Sequence, residues 1–217
     1  MKARSGRSAR KVRREDEQAL AAVARLCGFD RGEVALASST SLGLMQVAFG
    51  LPRGEVLVSK AEFPSNLYAW WRSEEAGLTT VRPLPAVPGQ PLAPVTPERV
   101  ADAVGPDTVA VAVSAVDFRT GTVADLAGLR EAVGDRLLVV DGIQGFGVLD
   151  ADWTLADALV VGGQKWLRAG GEPGSWRCPR GPSRASVRFW VVGRASRAPP
   201  GTTECRMSRC PERSVCR

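Results

Sequence analysis

Histidine is absent from this 217-residue chain, tyrosine occurs once and methionine three times. Without histidine the chain cannot form a Ser-His-Asp triad, and it lacks a common ligand of protein zinc sites. We therefore expect no metal site. No apolar run approaches the length that spans a bilayer, and no hydrophobic signal core follows the basic N-terminal residues. These two absences favour a cytoplasmic protein without a membrane partner.

The formal net charge of +6 is unevenly distributed along the chain. Residues 1–14 carry seven basic and no acidic groups, residues 15–171 carry 12 basic and 20 acidic groups, and residues 172–217 carry ten Arg and three Glu. An acidic middle segment is a poor surface for a phosphate backbone, so we expect no nucleic-acid partner. The pattern predicts a basic disordered head, a globular domain over 15–171 and a basic tail.

Two short apolar strands are predicted in the segment from Leu137 to Trp166. Strand 137–140 is followed by Asp141 and Gln144, and strand 158–161 is followed by Gln164 and Lys165. Fully apolar strands of this length are typical of parallel sheets buried on both faces, where ligands bind at the carboxyl ends of the strands. A carboxylate and an amine are therefore expected in one crevice. Taken alone, the two residues fit a buried salt bridge or exposed loop charges better.

The whole pattern, Asp followed by Gln three residues later and then Lys after a Gly-Gly-x step, resembles the pyridoxal-phosphate site of the aminotransferase class V family. That family includes cysteine desulfurase-like, kynureninase-like and isopenicillin N epimerase-like enzymes. The resemblance implies the large domain of a fold-type I pyridoxal-phosphate transferase, an α/β fold with a mostly parallel sheet flanked by helices. It also implies pyridoxal 5'-phosphate as cofactor, an amino acid as substrate and a homodimer for the full-length protein.

The resemblance assigns roles that suit the chemistry of these side chains. Lys165 would be the catalytic amine that forms a Schiff base with the cofactor aldehyde, a reaction that needs the neutral amine and is favoured by burial. Asp141 would keep the cofactor ring nitrogen protonated. Gln144 would hydrogen-bond the ring hydroxyl or the lysine. Gln164 takes the position near the phosphate where the family often has His or Tyr.

Further cofactor contacts are implied earlier in the chain. Ser39 and Thr40 belong to a Ser-Ser-Thr-Ser turn that precedes an apolar helix, and hydroxyls at a helix N-terminus suit an anion such as phosphate. Taken alone, four hydroxyl residues before a helix usually form only an N-cap. Phe63 follows the strand at 56–59 and would stack on the cofactor ring, although a single Phe is more often a core residue. Asn66 is the weaker candidate for a polar contact.

Alternating elements complete the domain. Strands are predicted at 33–37, 56–59 and 109–114, and helices from Glu15 to the Gly28 stop, at 42–49, at 96–104 and from Asp125 to Val133. Residues 83–97 are Pro-rich and predicted to form a loop. Alternation of strand and helix implies right-handed crossovers and a mostly parallel sheet.

The chain changes character after Gly171. Residues 172–217 hold four of the five cysteines and no Leu, Ile, Lys, Asp, Asn, Gln or Tyr. The cysteines lack paired C-x-x-C spacing, so a zinc or disulfide module is disfavoured and a disordered tail with few core contacts is expected. A frameshift is the other interpretation. In one choice of GC-rich codons for residues 171–177, reading one base earlier gives Gly-Thr-Gly-Phe-Leu-Ala, which resembles the family's continuation.

Two functions are consistent with these observations. The first is a pyridoxal-phosphate enzyme acting on an amino acid through Lys165. The second is a truncated, catalytically inactive fragment of such an enzyme, because the expected C-terminal small domain, with its arginine for the substrate carboxylate, has no counterpart here. Transamination, desulfuration, epimerisation and C–C cleavage remain equally open as reaction types.

Overall fold

The computed structural model describes residues 16–166 and the backbone of residues 189–193, in which helices and strands alternate. Helix α1 covers residues 16–27. The other helices are α2 (Thr40–Gly50), α3 (Pro64–Glu75), α4 (Pro97–Ala103) and α5 (Leu126–Val133). The strands are β1 (Val34–Ala37), β2 (Glu55–Val58), β3 (Thr80–Pro83), β4 (Thr108–Ser114), β5 (Leu137–Asp141), β6 (Ala158–Gly162) and β7 (Phe189–Gly193). Among the described residues, no helix combines the length and the apolar character needed to cross a bilayer.

All seven strands join one sheet in the order β1-β7-β6-β5-β4-β2-β3. The five strands β2 to β6 pair in parallel, whereas β7 pairs antiparallel with both β6 and β1. The predicted α/β fold with a mostly parallel, helix-flanked sheet is confirmed. Because β7 runs opposite to both of its neighbours, β1 has the same direction as the parallel strands.

A hydrophobic core covers each face of the sheet. On one face α1, α4 and α5 pack over Val111, Val113, Leu138 and Val140, and on the other face α2 and α3 pack over Ala110, Ala112 and neighbouring residues. Successive residues of β4 thus alternate between the two cores, as the period of a strand requires. This burial on both faces explains why β4, β5 and β6 read as uninterrupted apolar runs.

Most predicted elements are present within one or two residues of their predicted ends. The sequence analysis missed strand β3. Its sequence Thr-Val-Arg-Pro lacks an apolar run and includes the start of the Pro-rich segment, and in the structure none of its residues is buried. As the last strand of the sheet it pairs on one side only, with β2, so Pro83 is tolerated there. Residues 80–83 form a strand because they lie at the edge of the sheet, and the local sequence pattern does not encode that position.

The tail departs from the expectation of few contacts with the domain. The backbone of residues 189–193 forms β7, which lies between β1 and β6 and pairs with both. Val187 and the remainder of residues 172–217 lie outside the described residues, and so do residues 1–14. The five residues of β7 are the part of the tail that the structure describes, and the disordered or out-of-frame character of the tail stays a prediction.

Candidate active site

The carboxyl ends of five strands meet at one edge of the sheet. The predicted site residues lie at the ends of β1, β2, β5 and β6 or in the segments that leave these strands, which all have the same direction as β4. The predicted residues come from positions 39 to 165 of the chain, and the topology alone brings them to one place.

Asp141 is the last residue of β5 and is 2% exposed. Its Oδ1 accepts a hydrogen bond from the Ile143 backbone N–H at 3.0 Å. Burial raises the pKa of Asp141 to about 7, with a smaller increase from the nearby Glu62 carboxylate, while the Ile143 hydrogen bond and the Lys165 charge act in the opposite direction. The carboxyl is therefore poised between its neutral and charged forms near neutral pH, where an added positive group would hold it ionised.

Lys165 and Phe63 approach each other at this edge. The Lys165 Nζ lies over the Phe63 ring, 5.9 Å from its centroid, and the edge of the Phe118 ring meets Phe63 at a centroid distance of 5.2 Å. Phe63 is 40% exposed, so it is not a core residue. Lys165 is also exposed, which means that the described residues do not supply the burial on which the argument for a neutral amine relied.

Thr40 and Gln164 have buried side-chain oxygens without a hydrogen-bond partner among the described residues. Both oxygens face Gly162, the last residue of β6. A Cβ built on Gly162 would lie 2.5 Å from Gln164 Oε1 and 2.6 Å from Thr40 Oγ1. A buried polar atom without a partner is costly, so this pair is a candidate for binding a polar group of a ligand.

Ser39 serves as the N-cap of α2, and its Oγ accepts a hydrogen bond from the Leu42 N–H at 3.0 Å. The cap interpretation of the Ser-Ser-Thr-Ser turn therefore holds for Ser39. A hydroxyl in this position can still donate its proton, so capping does not exclude an anion. Gln144 is half-buried, three residues after Asp141.

Asn66 lies inside the protein and is fully buried. Its Oδ1 accepts from Trp70 Nε1 at 3.2 Å, and its Nδ2 donates to Glu62 Oε2 at 3.3 Å. The amide is thus shared between two side chains of the same turn and helix. These contacts explain the residue structurally, and its predicted role as a cofactor contact stays a prediction.

Glu62 and Ser114 are polar groups of this edge that the sequence analysis did not single out. Glu62 Oε1 accepts from the Ser114 N–H at 3.0 Å, and Ser114 Oγ donates to Glu62 Oε2. In the sheet, Ser114 is the register partner of Asp141. Two features of the sequence could have indicated these residues: Ser114 ends an apolar strand, and Glu62 directly precedes Phe63.

A cleft of about 360 Å³ lies beyond the ends of β2 and β3, lined by residues that include Lys60, Leu84 and Arg99. None of the predicted site residues lines it. Arg99 is held there by the backbone carbonyls of Pro85, Ala93 and Pro94. The predicted site residues and this cleft are therefore separate features of this edge.

The side chains at this edge match the chemistry of the pyridoxal phosphate that the sequence resemblance implies. A ring cofactor with a phosphate needs a stacking surface, a buried carboxylate for the ring nitrogen, polar groups for its oxygens and an amine for its aldehyde. Phe63, Asp141, the partnerless pair Thr40 and Gln164, and Lys165 offer these chemistries on the same edge. Fold and site together define an α/β protein of the pyridoxal-phosphate-binding type.

Family comparison agrees with this class. The sequence profile of the family described as "Aminotransferase class-V" matches residues 4–171, and the chain belongs to that family. The match ends at the predicted domain boundary but begins inside the segment 1–14 that was predicted to be a head. No curated protein matches the chain.

Solved structures share the fold at low sequence identity. A cysteine desulfurase from Thermococcus onnurineus NA1 has 20% identity and a TM-score of 0.66, with 82% of this chain and 42% of that chain covered. DndA from Streptomyces lividans has 20% identity and a TM-score of 0.70, with coverage of 88% and 50%. A Lys-to-Ala mutant of C-DES, with glycine covalently linked to its PLP cofactor, has 20% identity, a TM-score of 0.68 and coverage of 86% and 47%. The chain spans about half the length of the structures that it matches.

Proposed function

We propose that this chain carries the cofactor-binding part of a pyridoxal-phosphate-dependent enzyme that acts on an amino acid, with Lys165 as the covalent attachment point. The observation that carries the proposal is the shared sheet edge of Asp141, Lys165 and Phe63 in a class V aminotransferase. The neighbours point to the same cofactor and substrate class, since one title names PLP and another a cysteine desulfurase.

The described residues fit the cofactor as follows. Phe63 supplies the ring face and Asp141 the partner of the ring nitrogen. The Thr40 hydroxyl and the Ser39 turn at the N-terminus of α2 supply donors for the phosphate, and Gln164 supplies an amide beside them. Gln144 is assigned to the ring hydroxyl or to the lysine.

When bound, pyridoxal phosphate supplies an electron sink for the bonds at the substrate α-carbon. The chain's own contribution is electrostatic. The buried Asp141 carboxyl is held close to its ionisation point, so a cationic ring nitrogen beside it would shift the pair to the charged form and keep the ring protonated. Among the described residues Lys165 forms no ion pair, so its amine is available to a ligand at this edge.

The test uses covalent labelling of the full chain. Pyridoxal phosphate is added, the complex is reduced with borohydride, and peptides are mapped by mass spectrometry. We expect the label on Lys165 and its loss in Lys165→Ala. Lys60→Ala is a matched control, since Lys60 is an exposed lysine that follows β2 at the same end of the sheet. Equal labelling of all lysines would overturn the proposal.

The second candidate function is cofactor binding without turnover. The coverage of about half of each neighbour favours it, because the resemblance assigns the arginine for the substrate carboxylate to a C-terminal small domain that has no counterpart in this chain. Labelling of Lys165 without turnover of any amino acid would support this candidate. Turnover with cysteine, kynurenine or another amino acid would decide for the enzyme and define its reaction. A homodimer, which the resemblance implies, is part of the proposal and is checked by sedimentation.

A further inference from the structure

Glu62 is a half-buried acid that the proposed function does not use. It lies in the turn between β2 and α3, directly before Phe63. Three donors surround its carboxylate: the Ser114 N–H at 3.0 Å, the Ser114 hydroxyl and Asn66 Nδ2 at 3.3 Å. Burial raises the pKa of Glu62, while these hydrogen bonds act in the opposite direction. A half-buried carboxylate that accepts from three donors is held in place by its contacts.

These contacts connect the elements that carry the site. Through Ser114 the carboxylate joins the Phe63 turn to the end of β4, and Ser114 is paired with Asp141 on β5. Through Asn66 it also reaches α3 and the buried Trp70 indole. The stacking ring and the ring-nitrogen partner therefore lie on two segments that Glu62 and Ser114 tie together.

We propose that Glu62 is a positioning residue, which clamps the turn carrying Phe63 to Ser114 and so fixes the Phe63 ring relative to Asp141. The inference rests on the proposed function for the identity of the bound ring. A stacking surface that is displaced by an ångström loses contact with its ligand, so the clamp acts through cofactor affinity.

The chain contains a matched control at the opposite end of the same two strands. Glu55 opens β2, and its Oε1 accepts from the hydroxyl of Thr108, which opens β4, at 2.8 Å. Glu55 Oε1 also forms an ion pair with Arg82 Nε at 2.6 Å. Glu55 and Glu62 thus both make a cross-strand contact with a terminal residue of β4, but only Glu62 lies at the edge with the site. A loss caused by weaker strand pairing in general would appear in both variants.

The first measurement is affinity for pyridoxal phosphate by titration of its visible absorbance. We expect Glu62→Ala to weaken binding by roughly tenfold, Ser114→Ala by roughly fivefold, and Glu55→Ala by less than about twofold. Glu62→Gln should retain more affinity than Glu62→Ala, because Gln can still accept from the Ser114 N–H and donate to its hydroxyl, although it can no longer accept from Asn66 Nδ2. Equal losses in Glu55→Ala and Glu62→Ala, or no loss in Glu62→Ala, would overturn the proposal. If Glu62→Ala does not fold, Ser114→Ala decides.

The second measurement needs no cofactor. Carboxyl carbon NMR follows the titration of Asp141 in the full chain, where the facing charges are Glu62 and Lys165. Removing the Glu62 charge in Glu62→Gln should shift the pKa of Asp141 downward, and Glu55→Gln should leave it in place. An unchanged Asp141 pKa in Glu62→Gln would refute the clamp geometry even if Lys165 binds the cofactor. A lowered pKa in a chain that binds no cofactor would refute the proposed function and keep the geometry.

Discussion

Thr40 and Gln164 lie 124 positions apart in the sequence, yet their buried side-chain oxygens converge on the same glycine, Gly162. Neither oxygen has a partner among the described residues. Gly162 ends β6, and Thr40 opens α2 directly after the Ser39 cap. Because Gly162 has no side chain, the two oxygens can approach its backbone, and the space between them is too small for a methyl group.

Gly162→Ala tests this space. A methyl group there would meet the two oxygens and lie 2.7 Å from Ile143 Cδ1. We expect a loss of about 1–3 kcal/mol in the free energy of unfolding and a clear loss of pyridoxal-phosphate affinity. Urea unfolding and cofactor titration measure the two effects. Gly32→Ala is the control, since a Cβ there meets nothing within 4 Å. A Gly162→Ala protein with unchanged cofactor affinity would contradict the role of this space.

Asp141→Asn tests the raised pKa of the buried carboxyl. Because the pKa rises in the folded protein from 3.8 to about 7, folding is favoured by protonation. That contribution is complete below about pH 4 and is lost as the pH rises towards 7. Without cofactor, we expect Asp141→Asn to come within about 1 kcal/mol of the wild type at pH 4 and to exceed it by up to a few kcal/mol at pH 8.

Urea unfolding at a series of pH values measures this difference. Asp157→Asn is a useful contrast, because Asp157 forms an ion pair with Arg130 at 2.5 Å and its removal should destabilise the protein at both pH values. A wild type that is as stable as Asp141→Asn at pH 8 would show that the Asp141 carboxylate is not destabilised by burial.

Asn66→Ala tests the buried network behind the site. The change leaves the Trp70 indole N–H without its acceptor and removes one donor from Glu62. We expect a loss of about 2–3 kcal/mol in the free energy of unfolding. Adding Trp70→Phe removes the indole N–H that has lost its acceptor. The double variant should therefore lose less unfolding free energy than the sum of the two single variants. Additive losses in this double-mutant cycle would show that the two side chains are not coupled.

Ser39→Ala separates capping from phosphate binding. Ser39 caps α2, and Thr96 caps α4 in the same way through the Arg99 N–H at 3.4 Å. Each alanine variant should lose about 1 kcal/mol of unfolding free energy. Only Ser39→Ala should also weaken pyridoxal-phosphate binding. If both variants bind the cofactor like the wild type, the Ser39 hydroxyl is a cap and no more.

The local pattern of the chain predicted most of the fold. Apolar runs at β4, β5 and β6 are long enough and uniform enough to indicate buried parallel strands, and Ser39, Thr96 and Asp125 mark helix starts that the structure contains. These features depend on neighbouring residues, so a sequence reports them directly. The family could also be inferred from the sequence, because its motifs are short and retain their order along the chain.

Other features were decided by the tertiary structure. The edge position of β3 and the pairing of β7 between β1 and β6 depend on strand order, which local pattern does not encode. The contact of Glu62 with Ser114 joins residues 52 positions apart, so neither local segment predicts it. The raised pKa of Asp141 likewise comes from burial and from Glu62, which lies in the turn after β2. Residue types and their order were determined by the sequence, whereas burial, charge coupling and the convergence on Gly162 arise only when distant segments pack together.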